Sequence, residues 1–310
     1  MSLSIESNES FELDEHLLAT IGRSTHSLLD SSLHPLLGTL LEDLYARLDY
    51  IVDRRAVDDF FARYSIVQLA PLVVLIPAYQ EQDNIAGVIN GIPYEIGGLD
   101  VDVVVVTDGC RDKTAEIARS VGAYVCEVDT NRGQGAAYKL GYELLNALGA
   151  RYVVTLDADG QYDPGDIEAL LAPVVEGSVD FAQGSRLMGG REKDDSFRMA
   201  GVHFFAVLIS ILLGRKITDS SNGLRVMKIE VPTTVRLDEP QYQSSEMLIS
   251  AIRCGFIYKE FPVQVRKRRS GSSKKAKNFR YGLEYLRVVL TSRFRIRSYR
   301  LAPKAKLHCL

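Results

Sequence analysis

The chain has 310 residues, 46% of them apolar and 25% charged, and a net charge of −3 from 37 Lys and Arg against 40 Asp and Glu. That balance excludes collagen-like, disordered and disulfide-scaffold chains. The length suits one or two domains with a substantial core. The charge is unevenly distributed: residues 253–310 hold 17 Lys and Arg against Glu260 and Glu284, a local +15 that leaves −18 for residues 1–252. Such asymmetry predicts an anionic partner for the C-terminal part: phosphate, nucleic acid or an acidic membrane surface.

Four cysteines, Cys110, Cys126, Cys254 and Cys309, have no short spacing between any two. They form neither a zinc pattern nor a disulfide framework and fit a reducing cytosol. The acidic, polar N-terminus lacks the order of a secretory signal, so a cytoplasmic protein is expected. From Phe11 to about Tyr64 the pattern is helical, with Leu37, Leu41, Leu44, Leu48 and Ile51 in an apolar stripe. Packing on its own domain is the first reading of that stripe, and a homo-oligomer contact is the alternative.

At Pro71 the character changes. Leu72 to Pro77 is a short continuous apolar run, as expected for a strand buried on both faces. A helical stretch from Gln82 to Gly91 follows. Then come three more strand-like runs, VDVVVVTD, AYVCEVD and RYVVTLD, separated by helical segments at Lys113–Val121 and Gly135–Leu148. This alternation predicts an α/β fold with a mostly parallel sheet and helices on both faces. Beyond Gly190 the sequence predicts an apolar helix over 197–213, a Gly-containing loop at Asp219–Arg225 and a helix at Gln243–Cys254. A strand at Ile257–Val265 and a final helix at Tyr281–Arg293 complete the pattern. The most apolar run, Phe204 to Leu213, rises only about 15 Å as a helix, short of a membrane span.

Three runs end in polar groups: Tyr79, Asp108 and Asp157. Ligands of open parallel sheets bind outside the carboxyl ends of the strands. Asp157 and Asp159 flank Ala158 where a buried strand runs out, with Gln161 close behind. Two carboxylates so near repel unless a cation lies between them, and oxygen ligands suit Mg²⁺ or Mn²⁺ bridged to substrate phosphates. Gly133 and Gly135 could instead open a dinucleotide-binding loop with Asp157 on the ribose. Tyr138 at the third glycine position and the cluster of two acids weigh against that oxidoreductase reading. Nucleic-acid binding through KRRSGSSKKAKNFR is also disfavoured, because Phe279 is its only aromatic and base stacking is poorly supplied.

The motifs PAYQE (77–81), TDGCRDKT (107–114), RGQGAA (132–137) and DADGQYDP (157–164) resemble, in order, the inverting family 2 glycosyltransferases of the GT-A fold. GSR (184–186), DSSNGLR (219–225), YQSSEML (242–248) and RRSGSSK (268–274) make the chain similar to the polyprenyl-phosphate sugar synthases, typified by dolichyl-phosphate mannose synthase. The resemblance covers about residues 70–290. It implies a GT-A catalytic domain over 71–290; the helical pattern before it is expected to be an N-terminal extension over 1–70, and the basic residues after it a tail over 291–310.

It further implies that Pro77, Tyr79 and Glu81 line the base and ribose pocket, that Asp108 recognises the nucleobase, and that Gly135 belongs to the nucleotide-sugar site. Asp157, Asp159 and Gln161 would hold the metal on the donor diphosphate, while Arg186 and Arg225 contact phosphates. Arg268, Ser273 and Lys274 would close over the diphosphate. The chain departs from the family at Thr107, usually a second acid, at Cys110, usually Ser, and at Tyr162, often His.

A hydroxyl acceptor needs a base, and Glu246 and Asp219 are available as bases or as buried ion-pair partners. A phosphate acceptor needs positive charge instead, and Arg186, Arg198, Arg225 and Arg268 outnumber the acids. The expected activity is therefore metal-dependent transfer of a hexose, from a donor of the UDP-glucose or GDP-mannose type, to a polyprenyl phosphate. The same donor chemistry on a hydroxyl of a glycan or small metabolite is the alternative. The basic C-terminal segment adds an expectation of peripheral binding to the anionic inner face of the plasma membrane.

Overall fold

The computed structural model describes residues 51–64, 68–189, 196–235, 237–266 and 279–294. The chain divides into two compact units, Met1–Ile51 and Val52–Leu310, and the architecture below is that of the second. Arg268, Ser273 and Lys274 lie outside the described residues.

Eight strands form one sheet. They are β1 (Leu72–Ala78), β2 (Glu95–Ile96), β3 (Leu99–Asp108), β4 (Tyr124–Val128), β5 (Tyr152–Thr155), β6 (Phe181–Ser185), β7 (Arg225–Lys228) and β8 (Tyr258–Pro262). The order is β2-β3-β1-β5-β7-β6-β8, with β4 also paired to β3. β1 pairs in parallel with β3 and β5, β3 with β4, and β6 with β8. β7 runs antiparallel between β5 and β6, and β2 is a short antiparallel return beside β3.

The helices are α1 (residues 51–63), α2 (Ile85–Ile89), α3 (Thr114–Ser120), α4 (Gln134–Ala147), α5 (Ile167–Val175), α6 (Arg186–Gly189), α7 (Ser196–Leu213), α8 (Glu230–Thr234), α9 (Gln243–Arg253) and α10 (Phe279–Phe294). A single 3-10 turn spans Pro164–Asp166.

All seven residues of β1 are buried, because both faces of the sheet are covered. Alternation of side chains along a strand sorts them into two layers. Val73 and Leu75 join Ala56 and Phe60 of α1 and the buried residues of α4, α9 and α10. Leu72, Val74 and Ile76 join α2, α3 and α5 through Ile85, Ala118 and Leu170. The result is the expected sheet with helices on both faces. Among the described residues, no helix is long and apolar enough to cross a membrane.

Topology decides what meets at the carboxyl edge of the sheet. β1, β3, β5 and β6 point the same way, so Ala78, Asp108, Thr155 and Ser185 end there together. β7 runs the other way and therefore starts at that edge, with Arg225 opposite both Thr155 and Gln183. One reversed strand thus brings a cation from the C-terminal half to the acids at the ends of the parallel strands.

Candidate active site at the carboxyl edge of the sheet

At the end of β1, Pro77 is buried while Tyr79 is 39% exposed. Glu81 is buried; its Oε2 accepts Asn84 Nδ2 at 2.8 Å, and its own amide donates to Thr114 Oγ1 at 2.9 Å. Cys110 carries the bonding expected of the usual serine: its thiol donates to the Ala78 carbonyl at 3.4 Å and accepts the Gln80 amide at 3.3 Å. Glycine is required at 109, where φ is +70° and a Cβ would fall 2.4 Å from the Asn131 nitrogen.

Asp108 is buried and accepts the amides of Arg132, at 2.9 and 3.1 Å, and Gly133, at 2.7 Å. Burial raises its pKa above the ordinary value, and the two amides only partly offset this. Its carboxylate therefore fastens the 131–133 loop to the end of β3. That glycine loop in turn packs on the Glu239–Pro240 segment. The Gly135 amide donates to the Pro240 carbonyl at 2.9 Å, and a Cβ at 135 would fall 2.2 Å from the Glu239 oxygen.

The turn after β5 holds the acid pair. Asp157 is half-buried; its Oδ1 accepts Gln134 Nε2 at 3.0 Å, and its Oδ2 would lie 2.5 Å from a Cβ at Gly223. Asp159 is 8% exposed and caps the turn by accepting the Gln161 amide at 3.1 Å. Gln161 Nε2 donates to the Arg266 carbonyl at 3.1 Å. Tyr162, at the position often occupied by His, accepts the Gly223 amide on its phenol oxygen at 2.7 Å. Thr155 Oγ1 donates to the Gly223 carbonyl at 2.7 Å. The 219–224 loop is thereby held over the acid turn.

The C-terminal half supplies the opposite charge. Arg186 forks onto Asp219, with Nε to Oδ2 at 2.6 Å and Nη2 to Oδ1 at 3.2 Å, and both side chains are at most 5% exposed. Glu260 fixes the same loop by accepting the amides of Thr218, at 3.0 and 2.8 Å, and Asp219, at 2.7 Å.

Arg225 is fully buried. Its guanidinium donates to the Asn222 carbonyl at 3.0 Å, to Gln243 Oε1 at 3.2 Å and to Ser244 Oγ. All three acceptors are neutral, and no carboxylate among the described residues lies within ion-pair reach of it. Glu246 is buried and receives the amides of Asp238 and Glu239 at 3.0 to 3.2 Å.

The structure thus gathers Asp157, Asp159, Gln161, Arg186 and Arg225 near one strand edge, while Asp108, Gly135 and Glu246 brace the surrounding loops. Sequence reasoning passed over Gln134 and Gly223 as contacts of Asp157, although both lie inside motifs already singled out. It also passed over Glu260, which stands alone in a strand and gave no pattern to follow.

The donor set suits a hard divalent cation. Asp157 brings a carboxylate whose hydrogen-bond partner is a neutral amide, and a second carboxylate follows two residues on. Among the described residues no group of three or more His, Cys, Asp or Glu could hold a metal by itself. A cation here would take its remaining ligands from water and substrate, the habit of Mg²⁺ and Mn²⁺ bound with phosphates.

Comparison with known proteins places the chain in a family. Residues 73–231 match Glycosyl transferase family 2. A dolichyl-phosphate hexose transferase of Haloferax volcanii is 30% identical over 73% of this chain and 96% of its own length. A polyprenol monophosphomannose synthase of Mycolicibacterium smegmatis is 29% identical over 65% of this chain and 80% of its own.

Among solved structures, glucosyl-3-phosphoglycerate synthase of Mycobacterium tuberculosis with phosphoglyceric acid superposes with a TM-score of 0.59 at 20% identity, covering 74% of this chain and 81% of that one. The same enzyme with Mn²⁺ and UDP-glucose gives 0.57 at 22% identity, covering 74% and 80%. The fold is GT-A, the protein is an enzyme, and the chain belongs to glycosyl transferase family 2.

Proposed function

We propose that the enzyme moves a hexose from a nucleotide diphosphate sugar to a polyprenyl phosphate, with inversion, using a divalent cation. The observation that carries this reading is Arg225, a fully buried guanidinium with only neutral partners, opposite Thr155 and so two residues from Asp157 in register. A buried cation without a counter-charge costs several kcal/mol. A substrate phosphate would supply that counter-charge.

Both carboxylates available as a base have other work. Asp219 is forked by Arg186, and Glu246 receives backbone amides. A phosphate acceptor is already ionised near neutrality and needs neither. Two relatives with names that specify dolichyl-phosphate and polyprenol chemistry support the same acceptor.

In this reading Pro77, Tyr79 and Glu81 line the nucleotide pocket, whose far wall is the loop fastened by Asp108 and packed through Gly135. Asp157, Asp159 and Gln161 hold Mg²⁺ or Mn²⁺, which when bound neutralises the leaving diphosphate. Arg186 and Arg225 face phosphates, with Arg268, Ser273 and Lys274 assigned to the diphosphate from sequence.

The test is a transfer assay with labelled UDP-glucose, UDP-N-acetylglucosamine and GDP-mannose, polyprenyl phosphate in detergent, and either Mn²⁺ or EDTA. Metal-dependent label in the organic phase is the expected result and names the donor. Donor hydrolysis without a lipid product would overturn the phosphate acceptor in favour of a hydroxyl.

A further inference from the structure

We infer that the end of α7 and the edge of β8 form a docking surface for an anionic lipid bilayer, in which a cationic pocket receives a phospholipid headgroup beside an exposed apolar stripe. The pocket is an open cavity of about 250 Å³ lined by Arg215, Lys216, Lys259, Tyr258, Glu260 and Met188, among others. None of its cations is among the residues assigned above to the transfer site, although Thr218 and Glu260 of its wall hold the Asp219 loop.

Its charge is only partly compensated. The Glu260 carboxylate is occupied by the Thr218 and Asp219 amides. Arg215 is oriented by the Tyr258 carbonyl at 2.9 Å and by that ring, 5.7 Å from its centroid. Lys259 lies 5.3 Å from the Phe261 ring centre. Among the described residues, none of Arg215, Lys216 and Lys259 has a carboxylate within ion-pair reach. A concave site with three cations against the single Glu260 carboxylate keeps a net positive charge suited to a phosphate group.

The neighbouring surface is apolar. Phe204, Val207 and Ile211 recur along one face of α7 and are 58%, 45% and 73% exposed, while Ile209 and Ala206 on the other face are buried. Gly214 ends the helix with φ +65°, and the Arg215 amide bonds back to the Ser210 carbonyl at 3.2 Å. The first pocket cation therefore sits beside the last turn of the stripe. Met188, on the pocket rim, is 51% exposed.

α10 lies alongside α7, with the Phe205 and Tyr285 rings 4.2 Å apart and Arg293 Nε donating to the Leu212 carbonyl at 2.8 Å. It adds an exposed stripe of its own, Leu283, Leu290 and Phe294. Residues 196–216 contain no Asp or Glu. Apolar side chains rimmed by an excess of cations match the interface of an anionic leaflet better than a protein partner.

The purpose of this surface rests on the lipid-acceptor reading, but its deciding measurement is vesicle binding, with transfer only as a control. Full-length protein is sedimented with vesicles of phosphatidylcholine alone, or of equal parts phosphatidylcholine and phosphatidylglycerol, without donor. Binding is expected only to the anionic vesicles. The Lys216→Gln/Lys259→Gln variant should lower the partition coefficient roughly 30-fold, and Val207→Asp/Ile211→Asp at least tenfold.

Both variants should keep the wild-type rate on a short-chain acceptor in detergent, which separates lost docking from lost transfer. Equal sedimentation of variant and wild type would overturn the inference. So would saturation of the pocket by inorganic phosphate with no response to vesicles. Self-association abolished by Val207→Asp/Ile211→Asp, with no vesicle binding, would assign the face to a second copy instead.

Discussion

The two ends of the strand edge handle charge differently. On the donor side, the half-buried Asp157 accepts only a neutral amide from Gln134, and Asp108 is satisfied by backbone amides. On the side proposed to face the acceptor, Arg186 and Asp219 neutralise one another in a forked, buried pair, and Arg225 keeps its charge among neutral partners. Asp157 and Arg225 are thus left with neutral partners, Asp157 in the turn after β5 and Arg225 on the neighbouring strand β7. The Arg186–Asp219 pair and Asp108 also hold loops in place. Function is expected where charge is left unmatched, and stability where it is matched.

The largest effect should come from breaking the donor side. Asp159→Asn removes a carboxylate from an 8% exposed turn while keeping a side-chain oxygen that can accept the Gln161 amide. The fold should survive, and turnover should fall roughly 10²- to 10⁴-fold, at about 1.36 kcal/mol per decade. The check is kcat beside a melting curve. Unchanged turnover would remove the cation from this turn.

The matched side should respond the other way. Asp219→Asn leaves the Arg186 guanidinium buried without a counter-charge, which costs about 3–5 kcal/mol of folding stability. Denaturant titration should show this loss clearly, and the Asp159→Asn protein should show little of it. If the two variants exchanged these behaviours, the acid turn would be structural and the Arg186–Asp219 pair functional.

How much of this was legible in the sequence follows the same division. The first half, β1, β3, β4 and β5 with α3 and α4, reads directly because continuous apolar runs alternate with helical periods. β6 and β7 did not read as strands. FAQGS and RVMK are short and carry polar residues that the sheet nevertheless buries, because Gln183 and Arg225 turn their polar ends into the loop network.

The reversal of β7 left no trace in local pattern, yet it decides that Arg225 meets Thr155. The motifs located the site's residues but not their partners: GSR and DSSNGLR were separate strings until the fold joined Arg186 to Asp219. Tyr162 stood out only as a departure, and its bond to Gly223 gives the phenol a structural role.

The smallest expected effect sharpens the donor side. Burial lifts the pKa of Asp108 above its ordinary 3.8, with the Arg132 and Gly133 amides opposing. A carboxyl raised in the folded state binds protons more tightly folded than unfolded. Its contribution to stability is therefore greatest below 3.8 and is lost as pH rises through the raised value. Asp108→Asn has no such titration.

The stability of the wild type minus that of the variant should accordingly decline as pH is raised from below 3.8 toward neutrality, while the contributions of all other acids largely cancel in the difference. Urea titrations of both proteins across that range provide the measurement. A difference that grew with pH would mean that the amides of the 131–133 loop outweigh burial. Asp108 would then be held as an anion by its loop.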